Sequence, residues 1–132
     1  MKLSLMPIAV DALINFNIPS NLHSLEPMID LTKAIERVIE SEVAAGARLK
    51  GLSAFLDDDA DLKICGEVIF NEAPSENLSA QVIALLYDGQ GRVVGKQDTY
   101  VGSEGLPFDA FDINIYSVKQ SIEKIKVFVK KA

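Results

Sequence analysis

Residues 78–101 constrain the fold more than any other part of the chain. Leu78, Ala80, Val82, Ala84 and Leu86 recur at every second position. Side chains of an extended strand alternate between its two faces, so these five share one face. The run from Tyr87 to Arg92 then reverses the chain: Gly89 and Gly91 supply the positive φ that a tight turn needs, and Asp88 can bond the backbone ahead of it. Val93 to Val101 returns as the partner strand. The spacing predicts a β-hairpin, hence an antiparallel protein, and the hairpin itself carries no chemistry.

From Arg48 onward the period remains two. A strand is expected over 49–56, and Leu62, Ile64, Val68 and Phe70 mark the inner face of the next. After the hairpin come Phe111, Ile113 and Ile115, then Ile125, Val127 and Val129, with turn-rich separators at 57–61, 71–77 and 102–107. Short strands at this spacing, without helices between them, predict an antiparallel sandwich. Before Arg48 the pattern differs. Val10, Ala12, Ile14, Phe16 and Ile18 alternate as a strand that Pro19 stops. Leu31, Ala34, Ile35, Val38, Ile39 and Val43 recur at helical spacing, with Asp30 placed to cap the start and Gly46 the end. The expected fold is therefore mainly β: an immunoglobulin-like antiparallel β-sandwich over 48–132, preceded by a strand-helix elaboration over 1–47 with one amphipathic helix.

A chain of 132 residues is one domain, long enough for an unaided core. Its 13 basic and 19 acidic residues give a net charge of −6, which argues against nucleic acid and mildly favours basic partners. Cys65 is the single cysteine, so no internal disulfide can form. No apolar run reaches the length of a membrane span. Near the start, Lys2 and a short apolar run suggest a weak signal peptide, but Pro7 and Asp11 interrupt it and no small-x-small cleavage site follows. A soluble, cytoplasmic chain is the expectation, with the cell envelope as the alternative.

Residues 48–132 resemble the FxLYD family of small immunoglobulin-like bacterial and archaeal domains. The features that carry the resemblance are Leu62-Lys63-Ile64-Cys65-Gly66-Glu67-Val68 with Asn71 after it, Ala84-Leu85-Leu86-Tyr87-Asp88, Gly91-Arg92-Val93-Val94-Gly95, and Pro107-Phe108 leading into Phe111. Ala84 stands where the family pattern has Phe, and residues 1–47 have no counterpart. Family members often appear attached to the cell envelope. The resemblance implies a binding or structural module, with no catalytic residues to transfer.

Asp57, Asp58, Asp59 and Asp61 form an acidic run. A calcium loop beginning at Asp57 would need glycine at its sixth position and glutamate at its twelfth, where Leu62 and Val68 stand. The run is expected to be an acidic turn, holding no metal, that could meet a basic partner. His23 is the only histidine and lies in an expected loop, without the companions a metal site needs. No nucleophile elbow, phosphate loop, dinucleotide glycine pattern or Cys-x-x-Cys is present, so neither enzyme activity nor a cofactor is expected.

If Leu62, Ile64 and Val68 face the core, Cys65 and Ile69 face outward, and the same alternation turns Ile83, Leu85 and Tyr87 outward. Should the two strands be neighbours, Cys65, Ile69, Ile83, Leu85 and Tyr87 would build an apolar outer patch. Such a patch is covered or marks an interface: either the helix over 31–43 lies on it, or a protein partner or second copy does. The expected function is non-catalytic protein recognition or a structural role. Alternatives are an antitoxin-like acidic inhibitor of a basic protein and a small-ligand carrier.

Overall fold

The computed structural model describes residues 28–71, 78–103, 106–119 and 121–132. The strand expected over 10–18, His23, and most of the 71–77 connection lie outside the described residues. Among the described residues, eight strands and one α-helix follow in order: β1 (Ile29–Asp30), β2 (Ile35–Arg37), α1 (Ile39–Ala45), β3 (Ala47–Leu56), β4 (Leu62–Phe70), β5 (Ser79–Tyr87), β6 (Val93–Gly102), β7 (Phe108–Ile115) and β8 (Lys124–Lys131). The first sheet has the order β1-β3-β4-β7 and the second β2-β8-β5-β6. Every pairing is antiparallel except β2 with β8.

The β5–β6 hairpin forms where the sequence places it, with Ala80 opposite Val101 and Leu86 opposite Gly95. Its turn is held by the Asp88 carboxylate, which accepts the backbone N–H groups of Gln90 and Arg92, both at 2.9 Å, while Gly91 takes φ +78°. Val82, Ala84 and Leu86, beside Val129, Val127 and Ile125 of β8 in the same sheet, share one core with Ile64, Val68 and Ile113 of the first sheet, nearly all fully buried. Each buried Leu, Ile or Val contributes roughly 1.5–3 kcal/mol, so this core dominates the stability.

One residue sets the register of β3. Ala47 and Leu49 face inward at odd positions, whereas Ala54 faces inward at an even one. Gly51 absorbs the change: it sits in a bulge between Lys50 and Ser53 with φ +65°. The bulge also brings Leu52 over Gly66, where a Cβ would lie 2.6 Å from the leucine's Cδ2 and 3.0 Å from the Phe111 ring. Gly66 is thus the space into which Leu52 and Phe111 pack.

The helix expected over 31–43 is corrected. Thr32–Ala34 is a single 3-10 turn, Ile35–Arg37 is β2, and the α-helix occupies only Ile39–Ala45. The spacing from Leu31 to Ile35 that read as helical belongs to a chain crossing from one sheet to the other, where both residues pack on the same core. Val38 and Ile39 follow at a strand-to-helix junction, and β-branched residues suit the extended half of it. Ile39 and Val43, expected in the buried stripe, are 50% and 75% exposed, and the helix buries Glu42 and Ala45 instead. Gly46 does end the helix in the left-handed conformation, its N–H bonding back into the last turn.

This short N-terminal stretch belongs to both sheets. β1 pairs with the end of β3, and β2 extends the second sheet beside β8. Where pairing stops, side chains take over the ladder. Thr32 Oγ1 accepts the Ala54 N–H at 3.2 Å, Ser41 Oγ accepts the Val129 N–H at 3.2 Å, and Glu42 Oε1 accepts the Leu49 N–H at 3.1 Å. Glu42 is buried and is neutralised by Arg37, whose Nη2 and Nε donate to its two oxygens at 2.6 and 3.0 Å. That pairing holds the Arg37 guanidinium charged, its pKa raised by the hydrogen bond to Glu42.

Candidate interaction surface

The expected five-residue patch does not form as one surface. β4 lies in the first sheet and β5 in the second, so Cys65 and Ile69 face outward on one side of the sandwich and Ile83, Leu85 and Tyr87 on the other. Two strands with the same apolar period and a connection between them can be hairpin neighbours or a crossover; period alone does not distinguish these. On the first sheet Cys65 is half-buried between Ser53 and Asp112 in register, and Ile69 between Arg48 and Phe108. That face is mixed and polar, with Lys63 3.9 Å from Asp112.

The second sheet's outer face is different. Register places Leu85 between Lys96 of β6 and Lys126 of β8, Ile83 between Asp98 and Phe128, Gln81 between Tyr100 and Lys130, and Tyr87 between Val93 and Lys124. Ile83 is only 7% exposed yet stands outside the core cluster. With Phe128 beside Ile83 in register and Leu85 and Tyr87 following on the same face of β5, these four residues make an apolar strip. From Gln81 to Tyr87 this face of β5 runs for about 20 Å at roughly 3.3 Å per residue, the apolar strip taking about 13 Å of it. Tyr100, 67% exposed, flanks one end.

Charge is arranged around the strip. Lys96, Lys124, Lys126 and Lys130 stand on this face against Asp98 and, from β2, Glu36. Lys124 pairs with Glu36 at 3.3 Å, and Asp98 accepts a hydrogen bond from Gln81. Lys126 Nζ lies 5.4 Å from the Tyr87 ring centroid, a cation–π contact that fixes the ammonium above the strip. The face is therefore net positive on a chain whose net charge is −6.

The acidic run is a turn, as expected. Asp57 Oδ1 accepts the N–H groups of Asp59 and Asp61 at 2.9 and 3.0 Å, Ala60 takes φ +64°, and Asp61 Oδ1 accepts the Ser117 N–H at 3.0 Å. Two of the four carboxylates are thus committed to the backbone, leaving Asp58 and Asp59 exposed. A cleft of about 260 Å³ lies at one end of the sandwich, between Ala45 and Gly46 on one side and Phe70, Leu78 and Lys131 on the other. It is below the usual range of small-ligand pockets, roughly 300–1,000 Å³.

Phe128, Lys126, Lys96 and Tyr100 were missed by the sequence reading. The signal for the first two was available: once Ile125, Val127 and Val129 are inward, Lys124, Lys126, Phe128 and Lys130 must be outward. Among the described residues no helix is long and apolar enough to cross a membrane. Comparison with protein-family models, with curated proteins and with solved structures finds no match to this chain.

Proposed function

We propose that this protein is a non-catalytic recognition module that binds a protein partner through the outer face of β8-β5-β6. The observation that carries this is the strip itself. Ile83, Leu85, Phe128 and Tyr87 lie together on the outer face of the second sheet, Ile83 buried and the other three half-buried, and a face turned to water ordinarily alternates to polar. α1 runs along the side of β8, where Ser41 bonds Val129 and Ala44 and Ala45 line a cleft with Phe128, so it flanks the strip at that one residue.

The strand order supports an immunoglobulin-like reading of β3–β8. With β3, β4 and β7 taken as strands A, B and E, and β8, β5 and β6 as F, C and C′, every neighbour relation agrees. β2 then stands beside F in the place of strand G, but runs parallel to it. The resemblance to FxLYD domains belongs with this reading, since its Leu-Tyr-Asp run closes strand C.

The test is display of random peptides against immobilised wild-type protein and a Leu85→Ser variant checked for native circular dichroism. Leu85 lies outside the core, so the variant is expected to fold. Peptides enriched on wild type and lost on Leu85→Ser are the expected result. No enrichment, or enrichment unaffected by the substitution, overturns the reading.

A further inference from the structure

We infer that the partner of this face is acidic: an amphipathic protein helix whose apolar stripe is flanked by carboxylates. The inference rests on the recognition reading above and names the chemistry of its ligand. The strip is narrow, bordered by lysines along β8 and by Lys96, next to Asp98, on β6. Leu85 has Lys96 on one side and Lys126 on the other, and Lys124 and Lys130 continue the β8 border. Glu36 is paired with Lys124, whereas Asp98, bonded to the neutral Gln81 amide, keeps its charge and Glu123 stands beside Tyr87 at one end, so Lys96, Lys126 and Lys130 outnumber the two unpaired carboxylates that a ligand meets.

The backbone groups between β8, β5 and β6 are already paired, so a ligand here contributes side chains and not an added strand. A helix laid along β5 spans about 20 Å in roughly 13 residues at 1.5 Å per residue. Residues at i, i+4, i+7 and i+11 would then meet Gln81 to Tyr87 in turn, with acidic residues on either side opposite the lysines. A basic helix would bring like charges together at Lys96 and along the β8 border at Lys124, Lys126 and Lys130.

The same charges weigh against other occupants. A second copy stacked face to face with β8 over β8 would oppose lysine to lysine. Nucleic acid would meet a chain of net charge −6, and the centre of the strip is aliphatic Ile83 and Leu85, which offer bases no stacking platform. The Tyr87 ring is already under Lys126.

The experiment uses the whole chain and four probes. Two are 14-residue helix-forming peptides with the same leucine stripe, one flanked by glutamates and one by lysines. The third is a single-stranded 12-nucleotide oligothymidylate, and the fourth is vesicles of phosphatidylcholine with phosphatidylserine. Binding is followed by amide chemical-shift changes, with sedimentation of the protein alone alongside. The glutamate peptide is expected to bind and to shift Ile83, Leu85 and Phe128. It should weaken about tenfold or more in Lys96→Glu/Lys126→Glu, a surface variant with no core group altered, and also weaken as salt rises. Equal binding of the lysine peptide, binding of no peptide, preference for oligothymidylate or vesicles, or self-association through this face each overturns the inference. The two proposals fail separately: display that enriches peptides without acidic flanks leaves the recognition face and removes the acidic partner.

Discussion

Glu42 shows how one side chain can stand in for a strand. Its carboxylate is 4% exposed, receives two donors from Arg37 and one from the Leu49 backbone, and so satisfies the edge of β3 where pairing with β1 has ended. Arg37 is 42% exposed and can turn to water. The burial asymmetry makes the two deletions unequal. Glu42→Gln keeps an acceptor for Leu49 and leaves a guanidinium that water can solvate, and is expected to cost about 1 kcal/mol. Arg37→Ala strands a buried carboxylate, and is expected to cost about 2 kcal/mol, below the 3–5 typical of fully buried pairs because Arg37 is partly solvated. Urea denaturation of both variants measures the order; a larger loss for Glu42→Gln would show that the unpaired guanidinium, and not the unpaired carboxylate, is the costlier group to leave behind.

At the scale of elements, the hairpin turn offers a pH test. The Asp88 carboxyl is held below its ordinary range, chiefly by the Arg92 backbone N–H, then by that of Gln90 and the Arg92 side chain. A carboxyl depressed in the folded state favours folding above its unfolded value, near pH 4, and that contribution disappears as pH falls through the folded value. Wild type should melt above Asp88→Asn at pH 7, and the gap should close toward pH 3. A gap independent of pH would assign the difference to hydrogen-bond geometry and not to charge. The turn and hairpin were legible because their signals are local: glycines, an Asx side chain and strict alternation. So were the inner faces of β4, β7 and β8, since Ile64, Ile113 and Val127 mark them by period two. Three things were not legible. The bulge at Gly51 depends on a parity change between Leu49 and Ala54 that reads as ordinary apolar content. The helix was overextended because Leu31 and Ile35, four residues apart, reach one core by crossing between sheets. The candidate patch was split because the membership of β4 and β5 in different sheets is a long-range choice, and local pattern does not encode it.

For the molecule as a whole, the question is whether residues 48–132 are a domain with an attachment or part of a larger unit. The contacts favour the larger unit. Leu31 and Ile35 pack on the common core, β1 and β2 pair with opposite sheets, and Thr32, Ser41 and Glu42 each accept a backbone N–H that would otherwise open onto solvent. Without this segment, β3 and β8 would present long unpaired edges on the same side, and exposed apolar edges template further pairing. Removing two half-buried apolar side chains, each worth about 1 kcal/mol or more, and three side-chain hydrogen bonds at about 1 kcal/mol each takes away a large part of the 5–15 kcal/mol typical of a domain. A chain beginning at Ala47 is therefore expected to aggregate, or to stay compact without a cooperative transition. Sedimentation and thermal denaturation read the outcome directly. A monomer that unfolds cooperatively near the temperature of the full chain would show that β3–β8 folds alone, and that the N-terminal stretch closes edges already stable without it.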